Sequence, residues 1–507
     1  MRGSVLGRSS LISLLGCVPL VVALCSAGGA AEPLAKELDR HRGRGPLAKA
    51  TVGILVVRAS DGATLYAHGA DRLMTPASNQ KILTALASLS RFGPTHRFVT
   101  RVWAPAVPGI DGVVDELVVE GAGDPVLNSE DWWRVAAALK RDGLRGVRGD
   151  LRVDDTHFEP AGWHPSWGRP SARAYHAPVG ALTANYGTFL TSIWPRGKVG
   201  LPARVEIDPP VPYLRLRNRA TTVAKGEVVG VSVGRGKSFT EDGGGFETIR
   251  VEGAVHLQAG VDRVPRSVED PGLYAGSLLL HQLEANDVFV EGNVRRGVRS
   301  EADGALLLAW AGRSVQEVVQ LCMKYSNNAI AESLVKNLGA WSGATLEGSP
   351  ARRGDWTEGI RALRGEVGKL GVDLSGARLI DGSGLSEQNR LSPRMLVQAL
   401  EVGRSRFGFG PEFVSAMPIA GADGTLERRF EGARGRIRAK TGLLSDASVV
   451  ALSGFAERAD GETWIFSILV NGHGGGSRAA MDATDRLAQA LLDAYVPAQA
   501  EGAPTVD

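Results

Sequence analysis

From residue 96 to about residue 300 the chain runs through short alternating segments cut by glycine and proline, with no sustained helical period. Stretches such as "DELVVEGAGDPVL", "GDLRVDDTHFEP" and "ETIRVEGAVHLQAG" alternate apolar and polar residues, which suits strands covered on one face. The pattern changes on both sides of this region. Upstream, "TVGILVVRASDGATLYA" (51–67) reads as two strands joined at Asp61-Gly62, a favoured hairpin turn, and an apolar helical run follows at once. Downstream, "SVQEVVQLCMKYSNNAIAESLVKNLG" (314–339) is helical in period, with Val315, Val318, Val319 and Cys322 on one face. "GRIRAKTGLLSDASVVALSGFAE" and "ETWIFSILVNG" then read as adjacent antiparallel strands, and "SRAAMDATDRLAQALLDAY" as a closing helix. Helices and strands thus bracket a β-rich insert. More than one core is expected in a chain of 507 residues, because a single core stops growing near roughly 250–300 residues.

The first residues, "MRGSVLGRSSLISLLGCVPLVVALCSAGGAAEP", set Arg2 and Arg8 ahead of an apolar run that closes in small residues. That is the layout of a secretory signal peptide cut near Ala31, so an exported, periplasmic product is expected. The apolar run from Leu11 to Leu24 is shorter than the roughly 20 residues a spanning helix needs. Cys17 and Cys25 leave with the peptide, so Cys322 stands alone and closes no internal disulfide. The formal charge falls from +3 to about +1 on cleavage, and no basic block interleaved with aromatics occurs, which argues against nucleic acid as a partner. The nine histidines include no His-Glu-x-x-His, and His157, His164 and His176 lie in loop-like segments without cysteine partners. No metal or other cofactor is expected. The sequence leaves the oligomeric state open.

The chemistry is carried by "TPASNQKILTALASL" (75–89). Ser78 and Lys81 stand three residues apart at the start of a helix, on one face, within reach of a hydrogen bond between hydroxyl and amine. A lysine acts as a base only when neutral, and a dry cleft with a second cation nearby lowers its pKa. The spacing alone decides nothing, since Ser333 and Lys336 repeat it in "AESLVKNLG". Further groups do come. Ser326-Asn327-Asn328 sits in a break between helical stretches, and Lys440-Thr441-Gly442 on an expected strand whose glycine permits close approach of a ligand backbone.

Ser-x-x-Lys, Ser-x-Asn and Lys-Thr-Gly, in that order, resemble the motif set of the penicillin-binding proteins and serine β-lactamases. Ser78 and Lys81 match the first motif, Ser326 and Asn328 the second, and Lys440, Thr441 and Gly442 the third, while Ser333 and Lys336 come in the wrong order. Lys81 and Ser326 are 245 residues apart, whereas compact β-lactamases keep these motifs close together. The long insert resembles the low-molecular-mass class C penicillin-binding proteins, the D-alanyl-D-alanine carboxypeptidase/endopeptidase family. "GAGDPVL", "DGSGLSEQNRLSP", "PIAGADGTLERRF" and "RIRAKTG" are similar to that family's patterns, and the likeness is thin only between about 200 and 262. Two departures are Asn327, where aspartate is common, and Leu443, where a small hydroxyl residue is common.

The resemblance implies an α/β (α+β) penicillin-binding, β-lactamase-like transpeptidase domain, an antiparallel sheet flanked by helices, with inserted β-rich domains. Its limits would be 1–31 for the signal peptide, 32–95 and 300–507 for the peptidase domain, 96–204 and 263–299 for a second domain, and 205–262 for a third. Ser78 would be the nucleophile, Lys81 its base and Ser326 a proton relay to the leaving amine. Asn328 would hold the substrate amide, Lys440 and Thr441 the terminal carboxylate, and the backbone N–H groups of Ser78 and Leu443 the oxyanion beside Gly442. Peptidoglycan stem peptides would be the substrate, and β-lactam antibiotics covalent inhibitors. Asp154 and Asp155 in "RVDDTHF" read either as a solvated strand end or as acids that grasp an amino-bearing third residue of the stem, and Asp154 is the candidate contact. "DGSGLS" (381–386) would border the cleft, and Asp124 would be a turn residue. A β-lactamase and a non-enzymatic binding module are the rival readings.

Overall fold

The computed structural model describes residues 34–160, 162–342 and 353–493. The expected signal peptide lies outside the described residues. The central sheet is antiparallel and runs in the order Ile437–Leu444, Val449–Glu457, Thr463–Asn471, Thr51–Arg58, Thr64–His68. Its register joins distant parts of the chain: Thr51 faces Asn471 and Arg58 faces Trp464. Successive strand residues point to opposite faces, and both faces are covered. Leu55, Val57, Ala451, Phe455, Ile465 and Leu469 pack among the helices of one layer. Ile54, Val56, Leu452, Trp464, Phe466 and Ile468 meet the helices Leu34–Arg42 and Ser477–Asp493 on the other. The expected hairpin, the strand pair and the closing helix are all present.

On the first face the helix Lys81–Phe92 is buried from Lys81 to Leu89, because the helices Val315–Lys324, Asn328–Ser342, Trp356–Lys369 and Pro393–Ser405 surround it. This burial brings the amino end of the helix, with Lys81, into the interior.

The chain leaves this domain through Arg97–Ala104 and returns through Ala305–Ser314, and these two strands pair with each other, Arg97 against Ser314 and Ala104 against Ala305. They belong to a mixed sheet ordered Val294–Arg296, Leu151–Asp154, Leu117–Glu120, Arg97–Ala104, Ala305–Ser314. Two of its pairings are parallel, and parallel neighbours need crossover connections. The helices Ser129–Arg141 and Pro271–Ala285 lie in those connections, with Trp132, Val135, Leu139, Leu273, Leu279 and Leu283 in a shared core. An insert of mostly β structure did not foresee them. Their signals are local: Asn128 and Asp131 form a reciprocal capping box, and Asp270 accepts from Leu273 N with Pro271 in the first turn. Three three-stranded sheets complete the insert: Leu214–Val223, Gly244–His256 and Gly230–Glu241 form one, Asp262–Ser267, Thr188–Trp194 and Arg204–Asp208 another, and Phe289–Val290, Gly146–Val147 and Val113–Val114 the third. Among the described residues no helix is long and apolar enough to cross a membrane.

Gly454 marks where the central sheet is tightest. A Cβ there would stand 2.1 Å from Arg438 O and 2.5 Å from Ala439 Cα, both backbone atoms of the neighbouring strand. Gly454→Ala is therefore expected to cost about 1–3 kcal/mol by overpacking, seen as an earlier first transition in calorimetry. Gly365→Ala is the control. That exposed helical glycine has nothing within 4 Å, so the same change is expected to stabilise by up to about 1 kcal/mol.

Candidate active site

Ser78 sits in a short 3-10 turn, Ala77–Gln80, that runs directly into the helix beginning at Lys81. In such a turn side chains at i and i+3 eclipse, and Lys81 Nζ lies 2.9 Å from Ser78 Oγ. The same nitrogen is 2.7 Å from Asn328 Oδ1 and 2.7 Å from the carbonyl of Ser383. The turn is wedged in place. Ala77 holds a left-handed φ of +46°, a conformation that costs energy in a non-glycine residue. Gly384 is pressed so close that a Cβ on it would lie 1.9 Å from Ala77 O. Asn79 Nδ2 donates to Lys440 O at 3.2 Å on the other side. Gly442 was expected to admit a ligand backbone; it also admits the turn, since its Cβ position lies 3.0 Å from Ala77 Cβ and 3.0 Å from Asn79 Nδ2.

Ser326 occupies the break between the helices Val315–Lys324 and Asn328–Ser342, again with a left-handed φ, +55°. Its hydroxyl accepts from Lys440 Nζ at 2.8 Å, and the same nitrogen donates to Thr441 O at 2.8 Å. Thr441 Oγ1 donates to Thr425 Oγ1 at 2.8 Å. Asn328 Nδ2 donates to Tyr175 O at 3.0 Å, a contact supplied by the insert. Ser78, Ser326, Asn328, Thr441, Gly442 and Leu443 thus line one cavity of about 850 Å³. Lys81 and Lys440 are fully buried behind its wall.

Burial dominates the electrostatics. It lowers Lys81 to about 8, although Cys322, Asp381 and Glu332 pull the other way. Burial and then the positive charge of Lys81 push Lys440 well below the ordinary lysine range. Glu332 is raised to about 7, first by burial and then by the negative charge of Asp381.

These two acids were not expected in the site, although "DGSGLS" was placed at its border. Glu332 Oε1 accepts from Gly382 N at 3.0 Å and Ser383 N at 2.7 Å, which sets the carbonyl that Lys81 touches. Asp381 accepts from Gly384 N, Ser386 N, Asn389 Nδ2 and, from the insert, Trp167 Nε1 at 2.9 Å. One signal was available: Glu332 follows Asn328 by four residues on a helix, hence on the same face, and breaks an apolar run of Ile330, Ala331, Leu334 and Val335.

Asp154 is not brought to the cavity. Parallel pairing places it beside residues 296–299, where Oδ1 accepts from Thr156 N and Oγ1 and Oδ2 accepts from Arg299 N. Asp155 is paired with Arg296 at 2.7 Å. Both acids hold the insert together, and Arg169 and Arg173 are the insert's charged residues on the cavity wall. Asp124 is a buried turn residue whose Oδ1 accepts from Val126 N. In the repeated spacing, Lys336 Nζ lies 4.0 Å from the centre of the Trp356 ring and has no hydrogen bond among the described residues.

The model of the D-Ala-D-Ala carboxypeptidase 3 (S13) family matches residues 34–491. The chain belongs to this family. It is a low-molecular-mass class C penicillin-binding protein. A D-alanyl-D-alanine carboxypeptidase from Actinomadura sp. (strain R39) is 35% identical over 97% of this chain and 90% of the relative. The D-alanyl-D-alanine carboxypeptidase DacB of Haemophilus influenzae is 23% identical, over 84% of this chain and 86% of its own. The crystal structure of penicillin binding protein 4 from Haemophilus influenzae superposes with a TM-score of 0.74 at 22% identity, over 90% of this chain and 99% of that one. That likeness carries the fold: an antiparallel sheet flanked by helices, with an insert.

A base with a pKa near 8 works only above it, so acylation of Ser78 by benzylpenicillin is expected to rise with pH through about 8. Lys81→Arg should abolish it, because arginine keeps its proton. Lys440, pushed well below the ordinary range by burial and by the charge of Lys81, gives up its proton before Lys81 does, so Lys440→Ala should leave the rise near pH 8. Rates measured against pH for wild type and variant check this, and a rise moved to higher pH would show that Lys440 carries its charge while Lys81 titrates.

Proposed function

We propose that this protein is an exported serine-type D-alanyl-D-alanine carboxypeptidase that trims peptidoglycan stem peptides through an acyl-enzyme. The observation that carries the reading is the contact of Lys81 Nζ with Ser78 Oγ at 2.9 Å, on a cavity that the other two motifs share. A neutral lysine has two N–H donors and one lone pair. Asn328 Oδ1 and Ser383 O are acceptors only, and Tyr175 O fixes which end of the Asn328 amide faces the lysine. Both donors are thereby used, and the lone pair is left for the Ser78 hydroxyl. Ser78 Oγ gives its proton to Lys81 as it attacks the carbonyl carbon of the penultimate D-alanine.

The oxyanion then sits between the backbone N–H groups of Ser78 and Leu443, donors of a kind worth about 3–4 kcal/mol each. Ser326, held by Lys440, passes a proton to the leaving amine. Thr441 and its partner Thr425 receive the terminal carboxylate, and Lys440 holds Ser326 and Thr441 in place from behind the wall. The remaining N–H of Asn328 holds the substrate amide, and Gly442 keeps the strand close to the turn. Water releases the shortened peptide. The same acylation opens a cross-link where the leaving amine belongs to a second stem, so endopeptidase action follows from the same groups. β-Lactams acylate Ser78 and remain. We place the insert between the paired strands Arg97–Ala104 and Ala305–Ser314, with the sheet of Leu214–Val223 as its outer unit.

Family membership gives no support to a β-lactamase or a non-enzymatic module. A pentapeptide ending in D-Ala-D-Ala should release D-alanine, and a chromogenic cephalosporin should be opened once per molecule without sustained turnover. Intact-mass measurement should find one benzylpenicillin adduct on the wild type and none on Ser78→Ala. Sustained cephalosporin hydrolysis, or an adduct at Ser333, would refute the assignment.

A further inference from the structure

The outer face of the small sheet formed by Leu214–Val223, Gly244–His256 and Gly230–Glu241 has a charge pattern that folding does not explain. Its inner face is mostly apolar, with Ala220, Val233, Ile249, Val251 and Val255 buried, and Arg235 there is paired with the buried Glu247. On the outer face Arg215, Arg217 and Arg219 follow one another at alternate positions and are exposed. The parallel register sets Arg217 directly opposite Arg250, which is also exposed, and Arg219 opposite Glu252. Like charges directly opposite each other weaken a sheet. Yet among the described residues neither Arg217 nor Arg219 has an ion pair or hydrogen bond, and Arg250 donates only to a backbone carbonyl, Arg235 O, at 3.1 Å. At one end of the row Arg215 lies 3.5 Å from the centre of the Phe246 ring, and Phe246 stacks on the half-exposed Phe239. These three residues open onto a cavity of about 430 Å³.

We infer that this face binds a linear, phosphate-bearing polymer other than nucleic acid. Alternate residues of a strand are about 6.5–7 Å apart, so an extended polyanion meets three guanidiniums in succession, with Arg250 as a fourth beside the middle one. Guanidinium is the cation suited to phosphate, through its fork of donors. The basic face is only two strands wide and is bordered by Glu252, which fits a chain better than the plane of a membrane. Base stacking needs free aromatic faces, whereas Phe246 already carries Arg215 and Phe239. The site is separate from the catalytic cavity, and no residue of one lines the other.

The test uses the mature full-length protein and long-chain inorganic polyphosphate, with binding followed by titration calorimetry at several salt concentrations. Wild type is expected to bind with a steep salt dependence. The variant Arg217→Ser, Arg219→Ser, Arg250→Ser should bind at least about tenfold more weakly, with the salt slope reduced by about 3. Its acylation by benzylpenicillin should be unchanged, which shows it folded. Equal binding by wild type and variant overturns the proposal. So does tighter, row-dependent binding of phosphatidylglycerol vesicles or of single-stranded DNA than of polyphosphate, which would assign the face to a different partner.

Discussion

An ammonium has three hydrogens, and Lys81 Nζ is met by three acceptors from three separate parts of the chain: the turn that carries Ser78, the helix Asn328–Ser342 and the loop at Ser383. A buried lysine without partners would be costly, so these contacts are as much a condition of folding as of chemistry. They bring together elements that are 247 and 302 residues away in sequence. The rest of the site is arranged behind this point. Glu332 orients the loop that offers the carbonyl, Asp381 keeps that loop closed, and Tyr175 of the insert turns the Asn328 amide the right way round.

The three motifs could be read because each is short and contiguous, and because the chemistry demands particular residue types at fixed spacing. The hairpin at Asp61-Gly62 and the strands around Gly454 were legible for a similar reason: alternation and turn residues are local. Glu332 was harder, since a carboxyl inside an apolar helical face shows its purpose only when the loop at Gly382 folds over it. Asp154 misled in the opposite sense. An acid at a strand end resembles a reaching ligand, and only the parallel pairing with Val294–Arg296 reveals that it is capped from within. The two helices of the insert were hidden by their glycine-rich surroundings, although their caps at Asn128 and Asp270 are plain once sought.

Two of the strained backbone positions lie at the cavity. Ala77 and Ser326 both adopt left-handed backbone, and each adjoins or carries a hydroxyl of the cavity. Neither can relax without moving its neighbour, since Gly384 and Gly442 are packed against the turn and Lys440 is bonded to Ser326. The surrounding packing therefore holds both hydroxyls in place before any substrate arrives, which is what preorganised catalysis requires.

The register of Thr51–Arg58 against Thr463–Asn471 has a further meaning for how the chain acquires its shape. The hairpin made first cannot enter its sheet until the last strands exist, while the insert, whose opening and closing strands pair at its neck, contains its own partners. Contacts of such long range fold slowly. The insert is thus free to organise early, and the apolar edge of the hairpin stays uncovered until the chain is nearly complete, a period in which an unpaired edge is open to association with other chains.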